Sequence, residues 1–196
     1  MKYLFFVLVL LLLTQFSTLN AQDQWVLAKD KDEVQIFTRK LDHRRVKEFK
    51  AVTYTSKSVD ELEAIIKDVE HYPDWVYSVT HGELLETNGE SRILYYIFGV
   101  PWPVSDRDMV IESFKTTDDD GNLKFDLNLV KDLKPEVSGY VRMKEVFGSW
   151  TFIPKLDKTK IIYQFYGDPS GSLPAWLINM FIVDGPHETL VNLRNK

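Results

Sequence analysis

Apolar residues recur along this chain at two different spacings, and the switches between them mark out its elements. Residues 34–39 (Val-Gln-Ile-Phe-Thr-Arg) alternate apolar with polar positions, and 47–55 continue the pattern with Phe49, Ala51, Val52 and Tyr54. Successive side chains of a strand point to opposite faces, so both runs predict half-buried strands. Val59, Leu62, Ile65, Ile66 and Val69 then fall at helical spacing and predict an amphipathic helix over 59–69. Ser58 and Glu61 stand at the spacing of a capping box, and Pro73 within 71–75 predicts the break that ends the helix.

Strand-like runs follow at 82–86, 91–98, 108–115, 123–130, 137–143, 149–153 and 160–166. Asn88-Gly89 predicts a hairpin between the first two, and 119–122 (Asp-Asp-Gly-Asn) predicts a turn into the fourth. Strands gathered between two helical regions predict an α+β domain. A sheet this long must curl, and its concave face needs a filler. The stretch 173–183 supplies one. Trp176, Leu177, Ile178, Met180, Phe181, Ile182 and Val183 leave Asn179 as its only polar break, and Pro174 sits where a first helical turn accepts proline. A helix apolar all round is buried in a core or closes over something apolar. At this length it does not span a bilayer, which takes about 20 apolar residues.

Lys2, the apolar run 3–13, the polar residues after it and Ala21 follow the order of a secretory signal peptide. The expectation is cleavage after residue 21, a single mature domain over 22–196, and export to a periplasm or outside the cell. The 196 residues include no cysteine, so no disulfide can staple the domain and its core must hold it. A formal net charge of −5 argues against a nucleic-acid partner and against strong docking on anionic membranes.

Several stretches, in chain order, resemble one family. Trp25 with 34–39 resembles its opening strand. Asp68 and Trp75 fall where it places an Asp and a Trp around the second helix. Residues 95–108 (Tyr-Tyr-Ile-Phe-Gly-Val-Pro-Trp-Pro-Val-Ser-Asp-Arg-Asp) resemble its proline-bracketed loop before an Arg-Asp pair. Lys158-Thr-Lys160 followed by 167–179 resembles its lead into the closing helix, and Gly185-Pro186 a kink there. The family is START, the steroidogenic-acute-regulatory-related lipid-transfer domains. The resemblance implies a helix-grip fold, a curved antiparallel sheet around a long C-terminal helix, with an internal tunnel for a lipid or other apolar molecule that the domain binds and transfers. Tyr72 and Val76 stand where phosphatidylcholine-binding members carry an Arg and an Asp, Ser113 where a cavity Arg often lies, and Met109 where an aromatic follows Arg-Asp. The resemblance therefore implies a ligand less polar than a charged headgroup.

Alternation assigns the tunnel wall. Met109, Ile111 and Ser113 share one strand face and Leu94, Tyr96 and Phe98 another, while Glu112 marks the solvent side. The candidate ligand-binding residues are Trp75, Tyr96, Met109, Ser113, Tyr140, Trp150, Tyr163, Trp176, Leu177, Met180 and Phe181. Arg107 and Asp108 read as structural, with Arg107 expected to fix the Pro-rich loop through a salt bridge to a flanking Asp. The four histidines show no metal spacing and no nucleophile motif is present, so no cofactor and no catalytic residue are expected. The alternative is a helix-grip enzyme working inside the same tunnel, with Tyr96, Tyr140 and Tyr163 as its proton donors. A third reading is a small exported domain that binds a protein partner. The expected partners are an apolar small molecule and, transiently, a membrane, with the protein as a monomer. Gly171 and Gly185-Pro186 are expected to act as hinges of a closing helix that gates the tunnel.

Overall fold

A computed structural model describes residues 24–171 and 173–196; the expected signal peptide lies outside them. The chain runs β1 (Val26–Lys31), β2 (Val34–Lys40), β3 (Lys47–Thr55), α1 (Val59–Lys67), a 3₁₀ segment (Val69–Asp74), β4 (Val79–Asn88), β5 (Ser91–Phe98), β6 (Asp106–Thr117), β7 (Leu123–Leu129), β8 (Tyr140–Arg142), β9 (Glu145–Pro154) and β10 (Thr159–Asp168). It ends in α2 (Ala175–Asn179), a π-helical turn (Met180–Asp184) and α3 (Gly185–Asn195).

All ten strands form one sheet in the order β1-β2-β3-β10-β9-β7-β6-β5-β4, with β8 attached to β6. The last strand, β10, inserts beside β3 and pairs Phe165 with Phe49 and Tyr163 with Ala51. The sheet curls around the C-terminal helix, the helix-grip arrangement. Its concave face carries buried Ile36, Phe125, Phe152 and Ile161.

Local chemistry explains where elements begin and end. At the start of α1, Ser58 Oγ accepts from Glu61 N–H at 3.2 Å and Glu61 Oε2 accepts from Ser58 N–H at 2.7 Å, the reciprocal pair of a capping box. The α-helix ends at Lys67, two residues before the expected Val69, so Pro73 is not what stops it. It sits inside the 3₁₀ segment, which holds buried Val69 and Tyr72. The 137–143 strand shrinks to three residues and pairs in parallel with the start of β6, Tyr140 opposite Asp106, so the sheet is not wholly antiparallel.

The closing helix also differs from expectation. It does not stop at 183 but continues through Gly185-Pro186 to Asn195. Pro186 has no N–H for the carbonyl one turn back, and the ladder widens into the π turn just before it. The helix is unevenly anchored. On α3, Leu190 and Leu193 are fully buried, Asn192 Nδ2 donates to Trp75 O at 3.1 Å, and Arg194 pairs with Glu33. On α2, Leu177 is the one buried side chain and Trp176 is 60 % exposed. Between them, Lys29 of β1 meets Asp184 at 2.8 Å.

Candidate functional site

Among the described residues, two chambers lie between sheet and helices. The outer one, about 110 Å³, is roofed by Ile178, Phe181, Ile182 and Pro186 and floored by Phe49, Tyr163 and Phe165, with Lys47 and Arg107 also in its wall. The inner one, about 30 Å³, lies between the α1–3₁₀ segment (Ile66, Tyr72) and β5, β6 and β9 (Leu94, Tyr96, Met109, Ile111, Ser113, Trp150). Val76, Phe98, Tyr163 and Phe165 line both, so they form the partition of one tunnel. The inner wall follows from register. Leu94 pairs with Ile111 and Tyr96 with Met109, which puts one face of each strand on the concave side.

Aromatic rings stiffen this wall. Trp150 and Tyr163 are directly opposed on β9 and β10, and their rings stack at 3.8 Å and 2°. Tyr72 stacks on Tyr96 at 5.4 Å, and Trp75 packs edge-on against Tyr72 at 5.0 Å. The Tyr72 hydroxyl donates to Ile66 O at 2.8 Å. Burial pushes the Tyr72, Tyr96 and Tyr163 hydroxyls well above the usual phenol pKa, and neighbouring tyrosines add to the effect on Tyr96 and Tyr163. All three remain neutral O–H groups.

Of the candidates, Tyr96, Met109, Ser113, Trp150 and Tyr163 meet at the inner chamber, and Phe181 lines the outer one. Trp75 lines neither. It packs behind Tyr72 and Trp150, 2 % exposed, with its Nε1 buried and without an acceptor among the described residues. Tyr140 lines neither chamber, because β8 hangs outside the main ladder on the first residues of β6. Trp176, Leu177 and Met180 also fall off the cavity lining. The face that meets the cavity is instead Ile178, Phe181, Ile182, Gly185, Pro186 and Thr189, one continuous stripe at helical spacing.

Arg107 and Asp108 part company. Arg107 makes no salt bridge with either flanking Asp. Its guanidinium donates to the carbonyls of Ser105, Pro169 (3.1 Å) and Ser170 (3.4 Å), tying the Pro-rich loop to the segment before α2. Asp108 faces away from the tunnel and takes both arms of Arg142, at 2.9 and 2.8 Å. The residues missed from sequence are Tyr72 of the tunnel wall and Ile178 and Ile182 of its roof. The roof was open to discovery: Ile178, Ile182 and Gly185 to Thr189 align once the helix is continued past the proline.

The model of the START domain matches residues 15–193. The chain belongs to the START domain family. START domains bind lipids or other apolar ligands. This START domain is 33 % identical over 174 residues to the uncharacterized Pseudomonas aeruginosa protein PA1579, covering 88 % of this chain and 86 % of that one. The crystal structure of a STAR-related lipid transfer protein from Xanthomonas axonopodis is similar at a TM-score of 0.82 and 31 % identity, over 88 % of this chain and 98 % of that one. The mouse phosphatidylcholine transfer protein is 28 % identical over 130 residues, 63 % of this chain and 60 % of its own length. Human StAR-related lipid transfer protein 5, at 19 % identity and a TM-score of 0.78 over 96 % of this chain and 91 % of that one, shares the fold.

Proposed function

We propose that this START domain carries a lipid or other apolar molecule in the two-chambered tunnel and passes it between membranes. The observation that carries the reading is the tunnel itself: an aromatic partition joining two apolar chambers beneath a helix that presents an apolar stripe to them. Its tyrosines favour holding a ligand over turning one over. A general acid or base works best with a pKa near the working pH, and burial moves these hydroxyls further from it. Native mass spectrometry of the protein purified from its own host is expected to show one apolar adduct per chain, released and identified by solvent extraction. A bare mass that stays bare after incubation with mixed lipid vesicles would remove the carrier reading.

The mouth of the tunnel suits a brief membrane contact. Val100 and Arg107 line the outer chamber at the two ends of the Pro-rich loop, and that loop carries Trp102, 92 % exposed. Arg107 links it to the segment leading into α2, where Trp176 is exposed. Arg45 donates to Gly171 O at 2.6 Å in that same segment. Two exposed indoles with the exposed Arg45 form the kind of surface that settles at a lipid–water interface. The Trp102→Ser, Trp176→Ser double variant is expected to slow transfer of a pyrene-labelled fatty alcohol between phosphatidylcholine vesicles about tenfold, the weight of two indoles leaving an interface. Equilibrium loading of the protein should stay within twofold. Unchanged transfer would place the membrane contact elsewhere. Export to a periplasm or cell exterior remains part of the proposal, and fractionation of the native host tests it.

A further inference from the structure

The charged side chains in the wall of the outer chamber are all of one sign. Lys47 and Arg107 line it, and no carboxylate does among the described residues. Arg107 is 5 % exposed, and its guanidinium donates to carbonyls alone, those of Ser105, Pro169 and Ser170. Carbonyls satisfy its hydrogens and leave its charge without a counter-ion. The adjacent Asp106 instead accepts from Val100 N–H at 2.9 Å. Burial pulls the Arg107 pKa down, as it does for a cation taken out of water. Lys47 stands directly opposite Lys40 in the β2–β3 ladder, a like-charged pair on one face. The neighbouring cations are placed differently: Arg39 pairs with Glu48, Arg44 with Glu145 and Arg45 with Asp168. Among the described residues, Lys40, Lys47 and Arg107 have no such partner. A buried guanidinium without counter-charge and two lysines in register are both unfavourable, and an anion in the chamber relieves both. This local excess of positive charge stands in a chain whose formal net charge is −5.

Resting on the carrier reading, we infer that the outer chamber seats the anionic oxygen head, carboxylate or phosphate, of a ligand with one hydrocarbon chain, held by Arg107 and Lys47 with Lys40 adding to the field from the rim. The wall has no carboxylate to receive an ammonium, so the class is a simple anion rather than a zwitterion. The inner chamber includes no charged residue in its described lining, so it takes hydrocarbon. The ligand thereby gains a direction. Its head stays at the mouth beside the Pro-rich loop, and its chain runs inward past Phe98 and Phe165.

The test compares dodecanoate, dodecanol and dodecyltrimethylammonium at pH 8 and micromolar concentration. Each competes with a fluorescent apolar probe for the purified protein without vesicles, so no membrane headgroup can supply the anion. Dodecanoate is expected to bind about tenfold above the alcohol, the weight of a charge-assisted hydrogen bond, and the ammonium below both. Arg107 also ties two loops together, so charge is removed at exposed Lys47, where the fold stands without it. Lys47→Gln should reduce the preference for dodecanoate about threefold, the size of an exposed ion pair, and leave the alcohol within twofold. NMR of carboxyl-labelled dodecanoate gives a readout independent of affinity. Its bound carboxyl should titrate below the free acid, return toward it in Lys47→Gln, and be broadened by an aqueous gadolinium chelate that spares the terminal methyl. Equal binding of dodecanoate and dodecanol, a preference untouched by Lys47→Gln, or a carboxyl hidden from the chelate would overturn the anionic seat and leave the tunnel standing. Loss of the preference in millimolar inorganic phosphate would mean that the seat holds a free anion, and would overturn its assignment to a cargo head. Failure of all three ligands to bind, together with a bare native mass, would overturn the tunnel and the seat with it.

Discussion

Lipid uptake is expected to fall at least about 100-fold when the closing helix is fastened to the sheet, because gating motions of this kind are the step that admits ligand. Lys29 of β1 and Asp184 at the end of the π turn meet at 2.8 Å, so a short bismaleimide joining Lys29→Cys to Asp184→Cys spans the seam. The chain has no cysteine of its own, which makes these its only thiols. Losing the native ion pair costs little, since exposed pairs contribute about 0–1 kcal/mol. The large effect comes from volume. An apolar cavity of about 150 Å³ accommodates one benzene ring, and the outer chamber is smaller still. At about 110 Å³ it admits a lipid only if a wall moves. The sheet wall is held by a ten-strand ladder. The roof is a helix whose hydrogen-bond pattern is already widened from Met180 to Asp184 and whose first turn exposes Trp176. Transfer of a pyrene-labelled fatty alcohol from vesicles, measured before and after cross-linking, reads the effect. Protein loaded first and then cross-linked should retain its cargo. Exchange at the uncross-linked rate would show that ligand enters by another route.

Asp108→Ala is expected to be the most damaging single change to stability. The carboxylate is 1 % exposed and holds Arg142 through two hydrogen bonds at 2.9 and 2.8 Å, and it accepts from the Tyr95 hydroxyl at 3.1 Å. Arg142 in turn donates to the carbonyls of Lys134 (2.9 Å) and Pro135 (3.2 Å). The pair therefore staples the 131–139 segment and β8 over the outer face of β5 and β6. It also sets the Tyr95 hydroxyl, whose pKa is pushed up to about 12 by burial and then by the adjacent carboxylate. Removing one partner strands the other charge away from water, at a cost of about 3–5 kcal/mol. For a domain of this size that lowers the melting temperature by roughly 6–20 °C. Replacing both charges, as Asp108→Leu with Arg142→Met, should cost less than Asp108→Ala alone, because no charge is left behind. Scanning calorimetry decides. A shift of less than about 2 °C for Asp108→Ala would mean that the pair does not hold this face together.

Much of the tunnel was legible because a strand has only two faces. Glu112 assigned one face of β6 to solvent, and the alternation then sent Met109, Ile111 and Ser113 to the other. The cavity lining contains those three residues together with Leu94, Tyr96 and Phe98 of β5. A period of two leaves one binary choice, and a single charged residue settles it. The closing helix had no such marker. With Trp176, Leu177, Ile178, Met180, Phe181, Ile182 and Val183 all apolar, every rotation about its axis looks equally good, and the roof settles on Ile178, Phe181 and Ile182 rather than on Trp176, Leu177 and Met180. The anchor lies in α3, where Leu190 and Leu193 dock on the sheet and carry the rest of the helix round with them.

Arg107 and Tyr72 show the same division. An Arg between two Asp residues invites a salt bridge, yet its partners are the carbonyls of Pro169 and Ser170, 62 and 63 residues further along. Tyr72 sits in a segment that reads as a helix breaker, and only the 3₁₀ turn swings its ring onto Tyr96. Period, capping and turn chemistry act over a few residues, so this chain carried its α+β class, most of its strands, the start of α1 and the inward faces of β5 and β6 in local pattern alone. The rotation of the closing helix, the insertion of β10 beside β3, the reach of Arg107 and the gathering of tyrosines around the inner chamber depend on contacts between distant segments. Those contacts are selected by packing and by satisfying buried polar groups, and both are defined only once the sheet has curled around its helix.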